Sequence, residues 1–333
     1  MRSLILRYRV DTTLGYNPCS AIREYKQVKT VSAKPDSIKS ILYALFANLS
    51  IAIAKGAAAF WTGSGAMLAE AIHSLADTCN QLLLLLGMKQ SKRPPDSDYP
   101  LGYGKSIYFW SFLVAVILFS LGGMFSIYEG VHKFTHPEPL NNPMIAIGVL
   151  VFAIIAESAS LWGCMRAVNK ERLDQSIHLW FRESRSSELL VVFGEDVAAL
   201  LGLLLALLAV LASAITGNPV YDSIGTIIIG VLLVVIAFML AIEVKALLIG
   251  QGVETRVCEQ MRSFLQERPE VDHLYNLLTL QMGPDVMVAI KARMRPTGSE
   301  DKLMDAINKV EREFREVFPM ATWLFFEPDN KDE

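Results

Sequence analysis

Cysteine is scarce in this 333-residue chain, and the signatures of the common hydrolase and phosphate-binding classes are missing. The four cysteines, Cys19, Cys79, Cys164 and Cys258, lie far apart with no CxxC or other ligand spacing, which excludes a disulfide framework and a zinc ribbon. No HExxH, GxSxG elbow or phosphate-binding loop occurs, so the chain is not read as an enzyme. Internal repeats and low-complexity stretches are also lacking. The basic first 35 residues contain no apolar stretch of secretory-signal length, because "SLILRYRV" is interrupted by Arg7 and Arg9. An arginine-rich, acid-poor start is also the composition of a transit peptide.

What the chain has in excess is hydrocarbon. It is 52% hydrophobic with a mean hydropathy of +0.35, which places it among membrane proteins. The formal net charge of -3 hides an asymmetry: residues 246 to 333 hold 11 Lys/Arg against 16 Asp/Glu, leaving 20 against 18 elsewhere. An acidic soluble tail thus follows a membrane portion with basic edges.

With about 20 apolar residues needed per crossing, six transmembrane helices are expected, near 41–62, 66–88, 106–131, 144–166, 189–213 and 221–248. Lys and Arg collect before the first, between the second and third, and between the fourth and fifth. The loops on the other side, "TGSG", "HKFTHPEPLNNP" and "ITGNPVYD", contain Lys133 alone. Positive loops stay cytoplasmic, so both termini are expected there. The domains read as an N-terminal cytoplasmic segment (1–40), a six-helix transmembrane domain (41–248) and a cytoplasmic C-terminal domain (249–333). In the last, "ETRVCEQMRSFLQERP" has helical spacing, and "VDHLYNLLTLQMG" and "DVMVAIKARM" read as strands joined by "GPD". A helix capped by Ser299 and a strand in "ATWLFFEP" complete an αββαβ order, with helices on one face of a small sheet.

Ionisable side chains inside a membrane cost about 2.5 kcal/mol or more each, so those retained there face the bundle interior and mark a pathway or site. His73 and Asp77 are spaced i, i+4, on one face of the second helix about a turn apart, where they can share a divalent cation. Glu70, three residues before His73, extends that face. Two residues do not fill a tetrahedral shell, and other helices offer Glu195, Asp196, Glu157, Asn48 and Lys55. Asp196 is the preferred third ligand. Glu195 and Asp196 diverge by about 100° around their helix, so one of them is expected to have a structural partner such as Lys55, a serine or a backbone group.

The blander readings stand beside these. A lone interior histidine is more often hydrogen-bonded than metal-bound, and only the aspartate on its face and the carboxylates of another helix tip His73 toward a ligand. Glu157 and Asn48 serve an ion pathway or interhelical hydrogen bonds equally well. Glu129 and Glu243 read as solvated helix ends, and "GSGA" and "SLGG" as packing surfaces.

As a set, "ANLSIAIAKGAAAFWTGSGAMLAEAIHSLADTCNQLLLLLG", "YPLGYGKSIYFWSF", "EDVAALLGL", "GPDVMVAIKARM" and "FPMATWLFFEPD" resemble the cation diffusion facilitators, in particular the zinc transporter 9-like branch. The resemblance runs from about Ile41 to Asp329. It implies a six-helix antiporter exchanging a divalent metal for protons as a homodimer, with a cytoplasmic αββαβ, ferredoxin-like domain. It implies no prosthetic group and no nucleic acid, only metal ion, protons, lipid and a second copy as partners. The family takes its four ligands from an HxxxD or DxxxD on the second helix and an HxxxD on the fifth. His73 and Asp77 match the first pair and Asp196 the last position, but the position four before Asp196 is Val192, which has no donor. Glu195, Asn48, Glu157 or a water is left to supply the fourth ligand. Zinc is the first choice of cargo, with manganese, ferrous iron and cobalt raised by the oxygen-rich donor set. Accessory sites look weak: the second-to-third loop keeps Asp96 and Asp98 but has Tyr99 where relatives often have histidine, His178 stands alone in its loop, and the tail has only His273.

The expected mechanism is competition between protons and metal at one alternately exposed site. A metal-gated channel or sensor without coupled transport is the competing reading. A bacterial inner membrane is the expected location, with a mitochondrial or other organellar membrane as the alternative.

Overall fold

The structure, a computed structural model, describes residues 36–137 and 142–331, with side chains from Asn48 onward. Most of the expected N-terminal segment, residues 1–35, lies outside the described residues. Six long helices follow: α1 (Asp36–Thr62), α2 (Gly65–Ser91), α3 (Ser106–Thr135), α4 (Pro143–Arg172), and, after the short α5 (Ile177–Glu183), α6 (Ser187–Thr216) and α7 (Val220–Ile249). Each expected apolar segment falls within one of them. The helices run further because backbone hydrogen bonding continues past the last apolar side chain.

Among the described residues, α3, α4, α6 and α7 are long and apolar enough to cross a membrane. α2 does not meet that measure, because it carries Glu70, His73, Asp77 and Asn80 along its length. The outer faces are rich in uncovered hydrocarbon, with Phe60, Met144, Ile155 and Phe238 exposed, and only 17% of the apolar stretch of α4 is buried by protein. Surfaces of that kind suit lipid and would be a liability in water. The interior is a hydrophobic cluster built on Met67, Leu118, Leu150, Leu203, Ile229, Leu233 and Leu240. α3 and α7 approach through glycine: a Cβ on Gly123 would lie 2.5 Å from the Val234 Cγ2 and 3.2 Å from the Gly230 carbonyl oxygen. Beside this seam α3 opens into a π-helical stretch, Leu118–Met124, an irregularity frequent at functional sites.

One end of the bundle is tied by polar contacts. Ser64 caps α2 by accepting from Met67 N at 3.2 Å, and Asp222 at the start of α7 accepts from Ser64 Oγ at 2.6 Å and Gly65 N at 2.7 Å. Lys133 of α3 donates to the Gly63 carbonyl.

The tail folds in the expected order: α8 (Thr255–Gln266), β1 (Val271–Met282), β2 (Asp285–Met294), α9 (Glu300–Val317) and β3 (Trp323–Pro328). Val286, Val288, Ile290 and Ala292 alternate along β2 and are buried under Met261 and Leu265 of α8 and Val310 and Phe314 of α9. Ser299 caps α9, accepting from Lys302 N at 3.4 Å. β1 pairs antiparallel with β2, and β2 pairs parallel with β3, in the order β1-β2-β3. A ferredoxin-like sheet would split its crossover around an intervening strand. Here, among the described residues, α9 joins adjacent strands, so the expected likeness holds for the order of elements and not for that sheet topology.

The tail is docked against the bundle. Gly283, at φ 69° in the β1-β2 turn, presses on Gly104 of the α2-α3 loop and donates its N–H to Tyr108 Oη at 2.9 Å. Arg185, between α5 and α6, donates through Nε to the Gly252 carbonyl at 2.7 Å.

Candidate functional site

α2 organises the polar interior because its uncharged turns alternate with Glu70, Ser74, Asp77 and Gln81, a spacing of three or four that gathers them along the helix. Lys55 of α1 donates to Glu70 Oε2 at 3.2 Å and to Ser74 Oγ at 2.7 Å, with both members of the ion pair at 0% exposure. Near the other end of α2, Asn80 Nδ2 donates to Glu195 Oε1 of α6 at 2.5 Å. Glu70 lies against Gly202, so rising numbers on α2 face falling numbers on α6 and the two helices are antiparallel.

Beside these ties lies a cleft lined by Asn48 of α1, Ser74, Asp77 and Gln81 of α2, Glu157 of α4, and Val192, Glu195 and Asp196 of α6. Asp77 and Asp196 thus enter one cleft from two helices, and Asn48, Glu157 and Glu195 join them. Both residues of the adjacent acidic pair have partners: Glu195 takes the Asn80 amide, and Asp196 accepts from Ser160 Oγ at 3.2 Å with the Cys164 thiol beside it. Lys55 is partner to neither. Its partner is Glu70, which is therefore occupied by an ammonium and does not line the cleft. His73 does not line it either. It is wholly buried behind Asp77, with Nε2 3.6 Å from Asp77 Oδ2 and Nδ1 turned toward Gly122 in the π-helical stretch of α3.

Several buried polar atoms here have no hydrogen-bond partner among the described residues: both ring nitrogens of His73, Asp77 Oδ1, Gln81 Oε1 and Asp196 Oδ2. An unmet polar atom costs about 1–3 kcal/mol, more when charged, so their convergence calls for an explanation. A divalent cation, like a bridging water, can satisfy carboxylate and carbonyl oxygens together. No three His, Cys, Asp or Glu side chains among the described residues stand close enough to form a finished metal cluster, because Glu195 and Asp196 are turned to their own partners. Val192 contributes only hydrocarbon.

Sequence reasoning missed Gln81, Ser74, Ser160 and Cys164. The first could have been found by continuing the i, i+4 spacing of His73 and Asp77 one turn further. The contact of the fourth helix with Asp196 had no signal in the sequence, since it depends on how α4 packs on α6.

Outside the membrane portion, Asp96 accepts from Tyr103 Oη at 2.6 Å and from Tyr99 N at 2.8 Å. The Tyr103 hydrogen bond foremost holds its carboxyl below the usual range. That carboxylate fastens its own loop. At the tail junction, burial pushes Glu254 up to about 7, and Glu171 nearby adds to the rise.

Comparison with known proteins bears on this arrangement. A family model described as the cation efflux transmembrane domain matches residues 41–249. The human mitochondrial proton-coupled zinc antiporter SLC30A9 is 34% identical over 251 residues, 74% of this chain and 44% of that protein. Metal tolerance protein C4 of Arabidopsis thaliana is 32% identical over 264 residues, 78% of this chain and 57% of its own length. Zinc transporter ZitB of Escherichia coli K12 is 25% identical over 273 residues, 82% of each. The chain spans less than half of the human protein and little more than half of the plant one.

Proposed function

The chain belongs to the cation diffusion facilitator family of metal cation efflux transporters, and from that premise we propose that it exchanges a divalent cation, zinc foremost, for protons across a membrane. The observation that carries this reading is the cleft itself, which Asp77 of α2 and Asp196 of α6 both line, each with a buried carboxylate oxygen that has no partner among the described residues.

All six long helices cross the membrane in this proposal, α1 and α2 included, because the polar side chains of α2 face protein and not lipid. The uneven distribution of Lys and Arg supports both termini on the cytoplasmic side. A bacterial inner membrane remains our assignment, with the mitochondrial membrane of the human relative as the alternative. The working unit is a pair of chains.

An arriving cation draws Asp77 and Asp196 together. Glu195 and Glu157 stand beside the shell, and His73 backs Asp77. Ligands must be unprotonated to bind metal, so metal entry expels protons and their return helps the metal leave. Exposing the cleft to one side and then the other converts this competition into exchange. The relatives' names favour zinc, while a cleft lined by oxygen donors also suits manganese.

The test is transport into proteoliposomes carrying a metal dye and an interior pH dye, scanning zinc, manganese, iron and cobalt. Metal uptake with opposite proton movement, abolished in Asp77→Ala, is the expected result. Uptake without proton movement would establish a channel instead, and no uptake of any ion would leave a sensor.

A further inference from the structure

Gln81 follows Asp77 by four residues, so His73, Asp77 and Gln81 recur at one-turn intervals on α2. Its side chain lines the cleft together with Asp77, Val192, Glu195 and Asp196. Its carbonyl oxygen, Oε1, is buried and accepts no hydrogen bond from the described residues. The antiparallel arrangement sets the levels: Asn80 meets Glu195 and Glu70 lies against Gly202, so a turn onward along α2 corresponds to a turn back along α6. Gln81 stands one turn from Asp77 toward the docked tail, and Val192 stands one turn from Asp196 in that same direction. Four side chains from adjacent turns of two helices therefore border one space, and three of them offer oxygen.

We infer that Gln81 is a ligand of the transported cation, its amide oxygen occupying the quarter of the coordination shell for which Val192 has no donor. The inference rests on the cleft being the transport site. Its chemistry is coherent with the surroundings. Two carboxylates, Asp77 and Asp196, balance the charge of a divalent ion, and an amide oxygen adds a donor without adding charge, which matters where unbalanced charge is expensive. A carbonyl is a hard ligand, so Gln81 widens acceptance toward manganese, whereas an imidazole in its place would favour zinc.

The competing account is that Gln81 only holds helices together through its amide group. Titration of the purified full-length protein with zinc and with manganese separates the two. Gln81→Met, which keeps the length and removes the oxygen, should weaken binding of both ions by at least about tenfold, the lower end of what losing support at a metal site costs. Gln81→Glu, which keeps an oxygen in place but loses the amide donors, should retain binding. Adding Val192→His to Gln81→Met should recover zinc binding and not manganese binding. Gln81→Asn, with its amide withdrawn by one methylene, is expected to weaken binding as Gln81→Met does, and it replaces that variant if the methionine is not tolerated in the fold. Wild-type affinity in the weakened variants overturns the inference. So does a Gln81→Glu protein as impaired as Gln81→Met, or failure of Val192→His to recover zinc. Asp77→Ala is titrated alongside. If it binds metal normally, the cleft reading itself has failed, which is a separate result from a failure at Gln81.

Discussion

Replacing Lys55 by methionine strands a carboxylate inside the bundle. Glu70 Oε2 has the Lys55 ammonium at 3.2 Å, Oε1 has no partner, and both side chains are at 0% exposure. After Lys55→Met no hydrogen bond from the described residues to that carboxylate remains. Removing one member of a buried ion pair costs about 3–5 kcal/mol, and the absence of any second partner puts this case at the upper end. At roughly 2 °C per kcal/mol, the low end of the range for large chains, the melting temperature should fall by about 10 °C. Glu70→Met should cost less, because the ammonium keeps Ser74 Oγ at 2.7 Å. The double variant removes both charges together and should be more stable than Lys55→Met, since replacing a whole buried pair by apolar groups is often nearly neutral. Thermal unfolding of the four detergent-purified proteins closes the cycle. Additive losses, or a Lys55→Met protein as stable as wild type, would refute the assignment of Glu70 to Lys55 and return Glu70 to the ligand candidates.

Three other outcomes are expected. Tyr108→Phe deprives the Gly283 N–H of its acceptor, worth about 1 kcal/mol, and should speed hydrogen exchange in the β1-β2 turn while leaving α9 unchanged. Asp222→Ala unties the start of α2 from α7, and the loss of such a cap should cost about 1–2 kcal/mol in a chemical-denaturation midpoint. Glu254 has a folded value of about 7 against an ordinary 4.5, so the folded state holds this proton more tightly than the unfolded one. Its contribution is therefore complete below pH 4.5 and lost as pH rises through about 7. Glu254→Gln should flatten that part of the stability-pH curve, and an unchanged curve would contradict it.

The long elements were legible because hydrocarbon of membrane-crossing length is hard to place elsewhere, and the tail because its periods switch from helix to strand at glycine and proline. What composition could not convey was irregularity within an element. The π-helical stretch of α3 lies inside one continuous apolar segment, and α5 is a short helix, capped by Ser176, within a polar loop. Asp77 and Asp196, which line one cleft, are residues that spacing and a family resemblance single out. Their surroundings were not legible in the sequence, because pairing is decided by packing: Lys55 chose Glu70 over the acidic pair on α6, and Asn80 took Glu195. His73 illustrates the limit of a helical-face argument. Its spacing puts it near Asp77, as observed, yet a modest rotation about the helix separates a residue that borders the cleft from one buried behind it.

The claim on which the account depends is that Asp77 and Asp196 hold one cation between them. Calorimetric metal titration of wild type, Asp77→Asn, Asp196→Asn and the double variant tests it most directly. A shared ion predicts that either substitution removes the same high-affinity event and that the double variant is no worse than the single ones. Two losses that add independently, or a high-affinity event that survives either substitution, would contradict it.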